Sequence, residues 1–209
     1  MMTTKSLEEL ARDGTLTNPG AIQLAQGIRE LLGFDNPVAK VLNALEFAAD
    51  EHRNQRRKDA DASPYINHSI ALARLLACEA LEQDGDILAA AALHDTVEDT
   101  DTTFEEIKAG FGGAIADIVR EVTDDKTIEK AERKRLQIEY AARASMAAKA
   151  VKLADKICNL RDLNSAPPAD WSIDRRREYF DWAKQVVDAM RGSYPLLERF
   201  FDAEYARRP

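Results

Sequence analysis

The apolar run Leu88-Ala-Ala-Ala-Ala-Leu93 gives way at once to His94, Asp95, Glu98, Asp99 and Asp101, one imidazole among four carboxylates. If the helix formed by that run continues through Asp99, residues four apart share a face. His94 then lies one turn below Glu98, and Asp95 one turn below Asp99. Acids at a helix C-terminus are repelled by the macrodipole and by one another. A divalent cation offsets both repulsions, because it takes deprotonated oxygens and neutral imidazole nitrogen. A solvated acidic helix end is the plain alternative.

Two other positions bear on the choice. His68 lies near the start of a helix opened by Ser63-Pro64, where a lone histidine is ordinarily a core or capping residue. Asp155 sits at the edge of the apolar stripe of Ala147 to Leu163, flanked by Lys152 and Lys156, and a salt bridge would account for it alone. Together, His68, His94, Asp95 and Asp155 supply two imidazoles and two carboxylates from three helices. That set suits an octahedral cation such as Mn²⁺, with positions left for water and substrate. Zinc is compatible by ligand type, although a closed structural zinc site normally includes thiolate. Glu98 and Asp99 are then placed to take a proton from the attacking water or to orient it. The run Arg53-Asn54-Gln55-Arg56-Arg57-Lys58 is either a solvated loop or an anion clamp.

These residues need helices to position them. Residues 1–36 read as a helical extension, with Asn18-Pro19 as a helix start and Ile22, Ala25, Ile28, Leu31 and Leu32 at helical spacing before Gly33. Asn36-Pro37 opens the main domain, 37–209. Its first helix carries Val38, Val41, Leu42, Leu45, Phe47 and Ala48 as an apolar stripe ending near His52. Ile66, Ile70, Ala73, Leu76 and Ala77 line the next. Thr103 and Glu106 offer a capping box, and Gly112-Gly113 breaks the helix that follows. A helix carrying Ile115, Ile118, Val119 and Val122 comes after that break. Ile128 to Ala144 is a charge-rich surface helix carrying Lys130 and Lys134, and helices over Trp171–Met190 and Tyr194–Tyr205 close the chain. No alternation of strand type persists, so the expected fold is an all-α bundle of roughly ten helices.

The 209 residues are 45% hydrophobic and 32% charged, with net charge −8. That balance argues against a nucleic-acid polymer or an anionic membrane as partner, while a local basic pocket can still draw in a small anion. Cys78 and Cys158 have no metal-type spacing and read as buried free thiols in a reducing compartment. The N-terminus has no apolar core of signal-peptide length, so a cytoplasmic monomer or weak homo-oligomer is expected.

His68, His94-Asp95 and Asp155 match the H…HD…D pattern of the HD phosphohydrolase superfamily, an all-α fold. Arg57-Lys58, Pro64-Tyr65-Ile66-Asn67-His68, His94-Asp95-Thr96-Val97-Glu98-Asp99-Thr100, Val122-Thr123-Asp124-Asp125-Lys126 and Lys152-Leu153-Ala154-Asp155-Lys156 together resemble the hydrolase half of the Rel/SpoT alarmone enzymes. The closest resemblance is to the stand-alone small alarmone hydrolases, and it runs from about Ala39 to Ala189. It implies Mn²⁺-dependent hydrolysis of the 3′-pyrophosphate of (p)ppGpp, with His68, His94, Asp95 and Asp155 on the metal. Glu98 and Asp99 would be the acidic pair serving the water. Arg57, Lys58 and Asn159 would hold the base and neighbouring phosphates, and Lys130, Arg175 and Tyr179 would face phosphate and nucleotide. Ser69 replaces the proline that commonly follows the first ligand histidine, and residues 1–36 extend beyond the compact family members. Removal of the 2′-phosphate of NADPH is the nearest alternative activity, and a non-catalytic nucleotide-binding domain is the alternative of a different kind.

Overall fold

The computed structural model describes residues 36–209, and the account below concerns the compact unit Pro37–Pro209. The helix expected over Ile22–Leu32 lies outside the described residues. The elements are α1 (Pro37–Glu51), α2 (Ile66–Arg74), α3 (Gly85–Leu93), α4 (Thr96–Asp99), α5 (Phe104–Phe111), α6 (Gly113–Val122), α7 (Lys130–Arg143), α8 (Met146–Ser165), α9 (Ile173–Asp188) and α10 (Pro195–Tyr205). α2 runs on into a π-helical turn, Leu75–Glu79, closed by the Ala80 N–H on the Leu75 carbonyl. No strand occurs among the described residues; an isolated bridge joins Arg56 to Pro64. No helix among them is long and apolar enough to cross a membrane.

α3 is the centre, and α1, α2, α6 and α8 pack around it. Ala89 to Ala92 have no exposed surface at all. Their short side chains let four neighbours come close, and helical packing in the interior leaves little room for anything larger. The approach is tightest at the start of α3, where a Cβ on Gly85 would lie 2.8 Å from both Cα and Cβ of Pro37. Gly85→Ala should therefore destabilise the fold, since an overpacking cost of about 1–3 kcal/mol outweighs the ~1 kcal/mol that alanine gains in a helix. A thermal melt should show Tm a few degrees lower.

Caps set the helix boundaries. Asp84 accepts from the Asp86 N–H to start α3, Ser145 from Ala148 to start α8, and Thr103 with Glu106 forms the expected capping box on α5. Gly112, at φ 91°, turns the chain from α5 into α6.

Three expectations about faces need correcting. Val38 (64% exposed) and Leu42 (60%) do not belong to the buried stripe of α1, whose inward residues are Ala44 and Ala48, and Ile70 of α2 is also exposed. α3 faces α1 with alanines, so the side of α1 that comes closest must carry small residues too. In α8 the buried surface is wider than a stripe. Leu153, Lys152 and Lys156 are buried along with Val151, Ala154 and Ile157, because α8 touches α2, α3, α6, α9 and α10. Of the two thiols expected to be buried, Cys158 is, whereas Cys78 is exposed.

Candidate active site

The central helix does not run on through Asp99. It ends at Leu93, His94 and Asp95 form a turn, and α4 restarts at Thr96. Asp95 has φ −96° and ψ −5°, in the sparsely populated bridge region where many active-site residues sit. The break turns the His94 and Asp95 side chains toward each other rather than stacking each beneath the acid four residues on. His94 Nε2 comes to 3.0 Å from Asp95 Oδ2.

His68, on the first turn of α2, and Asp155, midway along α8, meet this corner from either side. One ligand atom each from His68, His94 and Asp155 lie within 4.8 Å of one another. The two imidazole centroids are 5.2 Å apart, and His68 Nε2 is 3.3 Å from Asp155 Oδ1. Both histidines are buried. The Nδ1–H of His94 donates to the Ala91 carbonyl at 3.0 Å, which turns Nε2 toward the cluster. That Nε2 makes no well-aligned hydrogen bond, and neither does Nδ1 of His68. Orphaned buried imidazole nitrogen beside two carboxylates is a donor set that fits a divalent cation.

Without a cation this corner holds a proton on His94 instead, which a bound metal would displace. Burial disfavours a charged His94, but the Asp95 carboxylate outweighs it and raises its pKa to about 9. Burial acts against an ionised Asp155 too, yet Lys156 and His68 hold its carboxyl well below the usual range. Lys156 Nζ donates to Asp155 Oδ2 at 2.9 Å and Asn159 Nδ2 to Oδ1 at 2.5 Å, so the salt bridge expected as the plain alternative for Asp155 is present. Lys156 and Asn159 thereby fix the orientation of the Asp155 carboxylate.

Glu98 and Asp99 share the cavity of about 220 Å³ that this cluster lines. Their surroundings differ. Burial, opposed by the Asp124 N–H on Oε2 (3.2 Å) and reinforced by nearby carboxylates, lifts Glu98 to about 7. Asp99 is paired with Lys126 and lies 3.1 Å from the Tyr65 hydroxyl. The loop between α6 and α7 thus holds both acids, one by a backbone N–H and the other by a lysine.

Two further cavities adjoin this one. A cleft of about 580 Å³ shares Arg57, Tyr65, His68 and Asn159 with it and extends past Lys58 to Trp171 and Tyr179. Arg57 is positioned there by Asp162 (2.5 Å) and by the Tyr65 ring below its guanidinium. A third cavity, about 270 Å³, gathers Lys130, Arg133, Lys134 and Arg175 around Trp171, Tyr179 and Trp182. Lys134 and Lys156 lie over the Trp182 ring at 4.9 and 4.5 Å, and Arg175 over Trp171 at 4.3 Å. Burial and then the charge of Lys130 press the Lys134 pKa downward, so an incoming anion would relieve repulsion there.

All the residues singled out from the sequence therefore line one connected set of cavities. Tyr65, His52, Gln55, Lys126, Lys152 and Trp171 also stand at or behind these cavities, although the sequence assigns none of them a site role of its own. Lys152 is buried beside the cluster with only the Val122 carbonyl at 3.4 Å for its ammonium.

The HD domain, as a sequence family, matches residues 44–181. The chain belongs to the HD-domain family. Within it, the chain is 56% identical over 160 residues to guanosine-3′,5′-bis(diphosphate) 3′-pyrophosphohydrolase MESH1 of Homo sapiens, covering 77% of this chain and 89% of that protein. It is 51% identical over 172 residues to MESH1 of Drosophila melanogaster, covering 82% and 96%. A solved structure of a metazoan ortholog of SpoT described as hydrolysing ppGpp superposes with a TM-score of 0.80 at 50% identity, over 84% of this chain and 98% of the other. This HD domain accordingly sits among the small alarmone hydrolases, with an all-α fold. An HD domain implies a divalent metal, and the cluster of His68, His94 and Asp155 is where this chain has donors for one.

Proposed function

We propose that the protein hydrolyses the 3′-pyrophosphate of (p)ppGpp in an Mn²⁺-dependent reaction, releasing pyrophosphate and GDP or GTP. The observation that carries this reading is the convergence of His68, His94 and Asp155, three residues distant in sequence, beside Asp95 and two acids of unlike environment. His68, His94, Asp95 and Asp155 would hold the cation, which when bound supplies Lewis acidity at phosphate oxygens and lowers the pKa of water.

The remaining steps belong to the chain's own residues. Arg57, Lys58 and Asn159 hold the guanosine end in the larger cleft, where Arg57 and Tyr179 offer flat faces to a base. Lys130 and Arg175 bind phosphates in the cationic cavity, offsetting the charge that a chain of net −8 would otherwise repel. A water oxygen forms the new bond to the phosphorus next to the ribose, the P–O3′ bond breaks, and the 3′ oxygen leaves as a hydroxyl. Glu98, lifted to about 7, can take the proton from water and surrender it within a turnover. Asp99, held by Lys126, orients the water.

The test is a side-by-side assay of ppGpp and NADPH with Mn²⁺ present. The larger kcat/KM is expected for ppGpp, with pyrophosphate and GDP formed in equal amounts, and negligible ppGpp turnover would contradict the proposal. Arg57→Ala should raise KM for ppGpp about 10-fold or more, the loss of a charge-assisted contact of roughly 1.5–3 kcal/mol, with a smaller effect on kcat.

A further inference from the structure

Tyr65 has no role in the reading above, yet groups that do surround it. Its hydroxyl lies 2.5 Å from Asp95 Oδ2 and 3.1 Å from Asp99 Oδ2. Its ring stacks on His52 at 4.8 Å and 28°, meets the edge of His68 at 6.2 Å, and carries the Arg57 guanidinium at 5.7 Å. A phenol has one proton to donate. The shorter contact gives it to Asp95, and the same oxygen remains in reach of Asp99.

The backbone beneath the ring is tied to Asp99 by a second route. The Tyr65 N–H donates to the Gln55 carbonyl at 3.2 Å, and the Gln55 side-chain amide donates to the Asp99 carbonyl at 2.6 Å. Gln55 is itself fixed by Nδ1 of His52 at 2.8 Å, and the bridge between Arg56 and Pro64 closes the loop. The Gln55 amide thus fixes the backbone of Asp99, while the phenol holds Asp95 and packs its oxygen 3.1 Å from the Asp99 carboxylate. An arrangement with two independent ties resists the small shifts that cost catalysis most.

We infer that Tyr65 is a positioning residue that locks the cation ligand Asp95 and the acid Asp99 into one geometry, with His52 and Gln55 as its brace. The inference rests on the roles proposed above for Asp95 and Asp99. It predicts a coupled loss on removal of a single oxygen. Tyr65→Phe keeps the stack on His52 and the face under Arg57, and takes away only the hydroxyl.

Calorimetric titration of the metal-free protein should show the Mn²⁺ dissociation constant of Tyr65→Phe raised about 10–100-fold, the range for partners that orient a metal ligand. At saturating Mn²⁺, kcat for ppGpp should fall by a similar factor while KM stays within about two-fold. The double variant Tyr65→Phe, Asp99→Asn should then lose less kcat than the two single losses combined, because the phenol and the Asp99 carboxylate belong to one contact set. A lower Tm with wild-type kcat and Mn²⁺ affinity would overturn the inference, as would full additivity in the double variant. Should Tyr65→Phe not fold, Gln55→Ala loosens the same tie from the backbone side of Asp99, and kcat at the wild-type value under saturating Mn²⁺ would overturn it. Failure of the wild-type protein to turn over ppGpp would remove the proposed substrate, whereas the calorimetric comparison would still decide the role of Tyr65.

Discussion

Asp95→Ala should give a folded protein that retains no divalent cation and turns over ppGpp at least about 10³-fold more slowly, because a Lewis acid supplies several kcal/mol and each 1.36 kcal/mol is tenfold in rate. Asp95 lies at the turn where the central helix breaks, 3.0 Å from Nε2 of His94. Without it, two imidazoles and Asp155 remain, and a cation loses half of the negative charge proposed to bind it. The fold should survive, since the Tyr65 hydroxyl can turn to Asp99 Oδ2 at 3.1 Å and His94 Nε2 has no well-aligned hydrogen bond to lose, so the cost stays within roughly 1–3 kcal/mol. Metal content per chain and kcat, measured on the same preparation, check both halves. Near wild-type activity in Asp95→Ala would exclude the proposed ligand set.

Glu98→Gln should separate chemistry from binding. The amide keeps the size of the side chain and can still meet the Asp124 N–H through its oxygen, so the bound cation should be retained. Losing the proton acceptor should lower kcat by about 10²–10⁴, with KM little changed. The pH dependence gives a second signature. Glu98 must be ionised to accept a proton, so kcat/KM should rise with pH and level off once Glu98 is deprotonated. Burial sets that group near 7 in the metal-free protein, and a cation nearby favours the carboxylate, which places the rising limb at or below about 7. Glu98→Gln should abolish the limb, and a limb unchanged in that variant would assign the titration elsewhere.

Helix positions followed from local signals. Pro37 at the head of α1, the Thr103–Glu106 box and the Gly112-Gly113 break each act over a few residues, and the structure keeps all three. Which side of a helix is buried proved harder to read. In α1 the large apolar residues Val38 and Leu42 are exposed while Ala44 and Ala48 face the core, because the alanines of α3 admit close approach only from small partners. Periodicity reports where apolar residues recur, and it says nothing of how near the neighbour comes.

The site residues stood out in the sequence where their chemistry conflicted with their setting, as with acids at the end of an apolar helix. The break at His94–Asp95 was not visible, since alanine-rich sequence before it and Thr-Val-Glu-Asp after it both accept helix. Residues with an ordinary explanation were passed over. His52 closes an apolar stripe, Tyr65 looks like core beside His68, and Lys126 looks like a turn residue. Only the folded arrangement brings Lys126 to Asp99 and sets His52 against the ring of Tyr65. Tyr65 had a faint local signal, three residues before His68, and its ring does meet the edge of that imidazole.

The most direct test of the account is pyrophosphate release from ppGpp by metal-free protein as Mn²⁺ is titrated in. The account predicts none at the start, a rise that saturates at one Mn²⁺ per chain, and GDP equal to pyrophosphate throughout. Release that ignores the cation, or no release at any Mn²⁺ concentration, would contradict it.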